Sequence, residues 1–140
     1  MPKIDLASLL LRLSFGGFML YAHGWPKLAK FSELSAKFPD PIGLGSSVSL
    51  SLAIGAEVGA AIFLMAGLFT RLATIPLMFT MMVAAFIVKS GEPFAKKEMA
   101  LLYLFGYIAI LCLGSGRYSL QNMFKISSTS KFPLLAWLLK

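Results

Sequence analysis

Polarity along this chain changes in blocks. Long apolar runs are separated by short polar breaks, with no sustained alternation of apolar and polar positions. Four runs stand out, at 6–28, 48–69, 72–88 and 99–113. A helix that crosses a bilayer needs about 20 mostly apolar residues. The first two runs meet that length and the third nearly does. The fourth meets it if its helix starts within 95–98, which gives bounds of about 96–113. The fold class predicted is therefore all-α, an integral membrane four-helix bundle. Thr70 and Arg71 form a very short junction between the second and third runs, so these helices should make an antiparallel hairpin. Tyr21 and Trp25 close the first run, where amphipathic aromatics favour the membrane interface. Pro26 should end or kink that helix.

Two further segments refine the picture. Residues 30–47 read as a surface segment, with Phe31, Leu34 and Phe38 on one helical face and Lys30, Glu33 and Lys37 around them. This is a short interfacial turn, followed by the Pro39-Asp40-Pro41 break and a loose stretch at 43–45. After a four-helix domain over 1–121, residues 122–140 read as an interfacial tail. Within the tail, 127–130 has the composition of a flexible linker, and the apolar 132–140 segment is too short to span. Trp137 is its expected anchor.

Composition agrees with the pattern. The chain is 58% hydrophobic and 14% charged, against about 45–50% and 25% in soluble domains. A soluble fold of 140 residues has too little interior to hide that much apolar surface. The net charge of +7 does not indicate nucleic acid, because the basic residues are scattered between apolar runs and form no stripe. They suit insertion flanks and anionic headgroups, so membrane lipids are the expected partners. The first run exceeds the roughly 7–15 residues of a signal-peptide core, so it reads as a span. Basic residues divide six against six between the two ends of the bundle. Arg12 and the tail tip the balance towards cytoplasmic amino and carboxyl termini.

Cys112 is the single cysteine and His23 the single histidine, which excludes an internal disulfide and a multi-histidine metal site. No metal is expected. Nor is there a nucleophile–base set or a phosphate loop, so an accessory subunit is a better reading than an enzyme acting alone.

Three ionisable residues fall in or near the spans: Arg12, His23 and Glu57. Such groups are costly in a bilayer and normally face the bundle interior with a partner. Arg12 and His23 are eleven positions apart and lie within about 20° of one helix face. Gly16 and Lys27, each one turn away, complete an inward stripe. Glu57 in the second helix is the natural counter-charge, within reach of Arg12 or His23 depending on tilt. Two readings stay open: an Arg12–Glu57 lock between helices, or a ligand or proton site in the bundle. Tyr107 joins the candidate polar core, with Tyr103 one turn before it. Gly55 and Gly59 make a GxxxG step about 200° from Glu57. That step should face another helix or a second copy of the chain in a homodimer.

The motifs together resemble the DoxX family of small four-helix bacterial membrane proteins. The resemblance rests on Leu10-Leu11-Arg12-Leu13 with Gly16, His23-Gly24 with Lys27-Leu28, Phe38-Pro39 with Gly43, and Glu57. It continues through Ala66-Gly67-Leu68-Phe69-Thr70-Arg71-Leu72 and Gly114-Ser115-Gly116-Arg117-Tyr118-Ser119-Leu120, covering roughly 6–121. One departure is that the family often has an Asp after Ser-Leu, where this chain has Gln121 and Asn122. An ion pair through that Asp is lost, while hydrogen bonding can persist. The family takes its name from a subunit associated with a terminal quinol oxidase, and relatives are linked to thiosulfate:quinone oxidoreduction and oxidant-defence complexes. The resemblance thus implies a bacterial inner-membrane location, other membrane redox subunits as partners, and a quinone- or lipid-binding subunit. The alternative is a non-enzymatic scaffold or carrier of a small hydrophobic molecule.

Overall fold

The computed structural model describes residues 1–126 and 131–140. Every regular element among them is a helix. Four long helices form an antiparallel bundle: α1 (Pro2–Ala29), α3 (Ser46–Ala66), α4 (Thr70–Val88) and α5 (Phe94–Leu113). Three short ones accompany them: α2 (Phe31–Leu34), α6 (Leu120–Met123) and α7 (Pro133–Leu138). The first three long helices are long and apolar enough to cross a membrane. The fourth has 20 residues, about 30 Å of helix, and its first turns carry Lys96, Lys97 and Glu98. The protein is a membrane protein with a four-helix bundle. The residues 127–130 read as a linker lie outside the described residues.

Large apolar side chains such as Leu10, Phe18, Phe63 and Phe105 point outward, as the lipid-facing surface of a bundle requires. Between the helices, Met19, Leu64, Leu77, Tyr107 and Ile110 form the buried centre. Small residues let the helices close on one another. A side chain on Gly106 would collide with the Phe15 ring, and one on Gly16 would collide with Met65.

The junction between α3 and α4 differs from expectation. Gly67 has a φ of 70°, which ends α3 in the left-handed region that glycine adopts without strain. Phe69 follows at a φ of 46°. The turn is therefore 67–69, and Thr70 and Arg71 already belong to α4. Of the two outcomes expected at Pro26, an end or a kink, the helix does not end there. The helix widens into a π turn at Leu20–Gly24, where the Trp25 N–H donates to the Leu20 carbonyl, and then continues to Ala29. The wider turn relieves the clash that a proline ring makes with the preceding turn.

Candidate functional site

The polar residues of the bundle separate into two clusters at opposite ends. The first, at the amino-terminal end, is a clamp. Arg12 is fully buried. Its guanidinium donates to the carbonyls of Leu64 (3.3 Å) and Met65 (3.1 Å) and to that of Tyr118 (2.7 Å). The first two carbonyls lie in the last turn of α3, where that of Leu64 also accepts from the Gly67 N–H, so Arg12 caps the negative end of that helix from its neighbour. The Arg12–Glu57 bridge expected from the sequence does not form. Arg12 lies about 18 Å along α1 from Gly24, and it is Gly24 that sits against the Glu57 carbonyl.

Around Arg12 the remaining motif residues tie the chain ends together. Gly67 leaves room for the guanidinium, because a Cβ there would sit 2.5 Å from one of its nitrogens. Ser119 is buried and caps α6 by accepting from the Asn122 N–H. The Arg117 N–H donates to Asp5, and Gly116 packs beside Asp5 and Ser8. Arg71 donates to the carbonyls of Leu111 and Trp137 and stacks over the Trp137 ring at 4.4 Å, fixing α7 to the bundle. Gln121 accepts from the Phe69 N–H and donates to the Leu139 carbonyl. The uncharged residue thus holds the α3–α4 turn by hydrogen bonds alone.

The second cluster faces a cavity of about 430 Å³ in the opposite half of the bundle. Its polar centre is an ion pair, with Lys27 Nζ 2.6 and 2.5 Å from the two carboxylate oxygens of Glu57. Glu57 is buried. It stands in a second π turn, Gly55–Ala60, opposite the π turn that carries His23. Isolated π turns often accompany functional sites, since the extra residue redirects side chains. Gly24 makes the approach possible, because a Cβ there would lie 2.7 Å from the Glu57 carbonyl oxygen. His23 packs edge-on to Tyr103, with ring centroids 5.6 Å apart. Both line the cavity.

The rest of the lining is mainly apolar. It includes Leu52, Ala53 and Ala56 from α3, Phe79, Val83 and Ala84 from α4, and Met99 from α5. Thr80 adds a hydroxyl that donates to the Pro76 carbonyl at 2.8 Å. Phe38, Pro39, Pro41 and Ile42 line the end nearest the α1–α3 loop. That loop is organised by Asp40, whose carboxylate accepts from the Leu44 and Gly45 N–H groups and the Ser49 hydroxyl at 2.8–2.9 Å. Hydrogen bonds from Gly45 and then Ser49 hold its carboxyl below the usual carboxylate range.

The structure therefore divides the candidate polar core. His23 and Glu57 meet at the cavity. Tyr107 does not line it; its hydroxyl donates to the Phe15 carbonyl at 3.3 Å. Arg12 belongs to the clamp. Tyr103 lies on the cavity wall in place of Tyr107, and Lys27 in place of Arg12 is the partner of Glu57. A Cβ on Gly55 or Gly59 would meet nothing in the described chain, so the outward side of the GxxxG step is not filled by α4 or α5.

The DoxX family model matches residues 7–90, more than half of the chain. The matched stretch holds His23, Lys27, Glu57 and the loop of Asp40. No curated protein and no solved structure matches the chain.

Proposed function

We propose, from the premise that the chain belongs to the DoxX family, that it is a binding subunit for a quinone-like amphiphile. It would serve a redox system of the bacterial inner membrane with both termini cytoplasmic. The observation that carries this reading is the mainly apolar cavity with His23, Lys27, Glu57 and Tyr103 in its wall. At about 430 Å³ it falls within the size range of small-molecule sites, about 300–1,000 Å³. Tyr103 presents a hydroxyl and His23 a ring N–H, both suited to the carbonyl oxygens of a quinone head. The Lys27–Glu57 pair cancels its own charge, and Lys89, the other charged lining residue, turns its ammonium to the Lys96 carbonyl, which favours a neutral head over an ionic one. Reduction of a quinone takes up protons, and His23 is suited to deliver one. In this reading the chain binds and orients, and the electrons come from a partner subunit.

A carrier of a small hydrophobic molecule is the second reading, favoured by the aliphatic lining. One experiment separates the two. The protein is purified in native nanodiscs, co-purifying molecules are identified by mass spectrometry, and a short-chain ubiquinone analogue is titrated. Saturable binding near one per chain, weakened about tenfold by His23→Ala or Tyr103→Phe, is the result expected. No saturable quinone binding, with another apolar molecule bound stoichiometrically, would transfer the function to the carrier.

A further inference from the structure

We propose that the ligand enters this cavity sideways from the bilayer, through an opening between α3 and α4, and that its hydrocarbon tail rests in that opening. The inference builds on the reading of the cavity as a binding site. It adds the route and the chemical class of the occupant, an acyl or prenyl chain of a membrane amphiphile.

Three observations carry it. First, α3 approaches α4 along only part of its length. Its Gly55–Ala60 and Ala61–Ala66 segments pack on α4, whereas Ser46–Ile54 packs on the last turn of α1 and on α2. Beside that standing-off half lies the cavity. Second, Leu52 of α3 and Phe79 of α4 line the cavity and are also 56% and 52% exposed. Val88, Met99 and Ile42 also line it at 45%, 55% and 44% exposure, but Leu52 and Phe79 mark its rim on the two helices that part. Ala53 and Ala84, on the same two helices, are too small to fill the space between. Third, Phe38, Pro39, Pro41 and Ile42 line the loop end and screen part of the aqueous side. The opening is bounded by the spans Ser46–Ala66 and Thr70–Val88. The medium outside it is therefore lipid hydrocarbon, and burial there favours an apolar chain. Such a chain would run inwards, bringing its head to His23 and Tyr103.

The test uses the full chain in nanodiscs containing a phosphatidylcholine with a diazirine in its acyl chain. After illumination, adducts are mapped by peptide mass spectrometry. The result expected is labelling of the inward residues Met81, Ala100 and Tyr103, each less than 10% exposed, as well as the lipid-facing Phe86 and Phe105. Ala53→Trp, or Leu52→Trp where the first lowers the melting temperature, should lower inward labelling at least fivefold while sparing Phe86. Adducts confined to outward residues, or inward labelling untouched by either substitution, would overturn the proposal. Inward labelling without saturable quinone binding would keep the lateral route and remove the quinone. Quinone binding without inward labelling would do the reverse.

Discussion

Lys27 and Glu57 form a two-contact ion pair between α1 and α3, in which the Glu57 side chain is 2% exposed and that of Lys27 25%. The asymmetry decides what each substitution does. Lys27→Met leaves a buried carboxylate without its partner, an arrangement that costs about 3–5 kcal/mol. Glu57→Gln leaves an ammonium on a flexible stem near the end of α1, which can swing towards water and loses less. Thermal melts in detergent should therefore rank Lys27→Met below Glu57→Gln, with the double variant recovering part of the loss. Strictly additive losses would show that the pair does not couple the helices.

Arg12 works independently of that pair. Arg12→Leu removes three hydrogen bonds from a charged donor and takes that donor from the Met65 and Tyr118 carbonyls, while Leu64 keeps the Gly67 N–H, so a loss of at least about 3 kcal/mol is expected. Arg12→Lys should restore little, because a single ammonium does not reproduce the planar fork that spans α3 and the Tyr118 carbonyl. Combined with Glu57→Gln, the Arg12→Leu loss should add to within about 0.5 kcal/mol, as for separated sites. A large coupling energy in this cycle would contradict the two-cluster arrangement.

The division between these clusters also marks how far the sequence could be read. The four helices were legible because a bilayer demands runs of about 20 apolar residues, and nothing soluble needs them. The inward stripe of Arg12, Gly16, His23 and Lys27 followed from the helical period. Its pairing did not follow. Three basic residues share that stripe with one buried carboxylate, and the choice depends on how far α1 slides along α3. That register is fixed by the contact of Gly24 with the Glu57 backbone and by two π turns, and neither has a periodic signature. Tyr103 and Tyr107 lie one turn apart on one face, so only the splay of α3 from α4 tells which of them meets the cavity. Gln121 in place of an acid was visible as a departure. Its role in tying the α3–α4 turn to Leu139 required the fold.

The α1–α3 loop should respond to pH through Asp40. Its carboxyl titrates below the usual carboxylate range because the charged form accepts hydrogen bonds from Gly45, Ser49 and Leu44. A depressed folded-state value means that the contribution is fully present above the ordinary carboxylate pKa of about 3.9. It is lost as pH falls through the lowered value. Hydrogen exchange at the Leu44 and Gly45 amides, corrected for intrinsic rates, should therefore show constant protection from pH 7 to about 5 and a loss only in stronger acid. In Asp40→Ala the protection should be low throughout. A protection step near neutral pH would assign the loop's order to another group.

The glycines of α1 and α3 should behave in opposite ways. A methyl group on Gly24 would lie 2.7 Å from the Glu57 carbonyl oxygen and 2.8 Å from a Val58 methyl. All of these atoms are held by two packed helices, so α1 and α3 must separate where His23 and the Lys27–Glu57 pair meet. Gly24→Ala is expected to cost about 1–3 kcal/mol, the usual range for overpacking, and to weaken quinone-analogue binding in parallel. Gly55 and Gly59 have open space where a Cβ would go, and alanine is the better helix former by about 1 kcal/mol. Gly55→Ala and Gly59→Ala should therefore leave the melting temperature unchanged or raise it by a few degrees, with binding intact. A fall in stability for either would show that this face is covered by something beyond the chain's own helices.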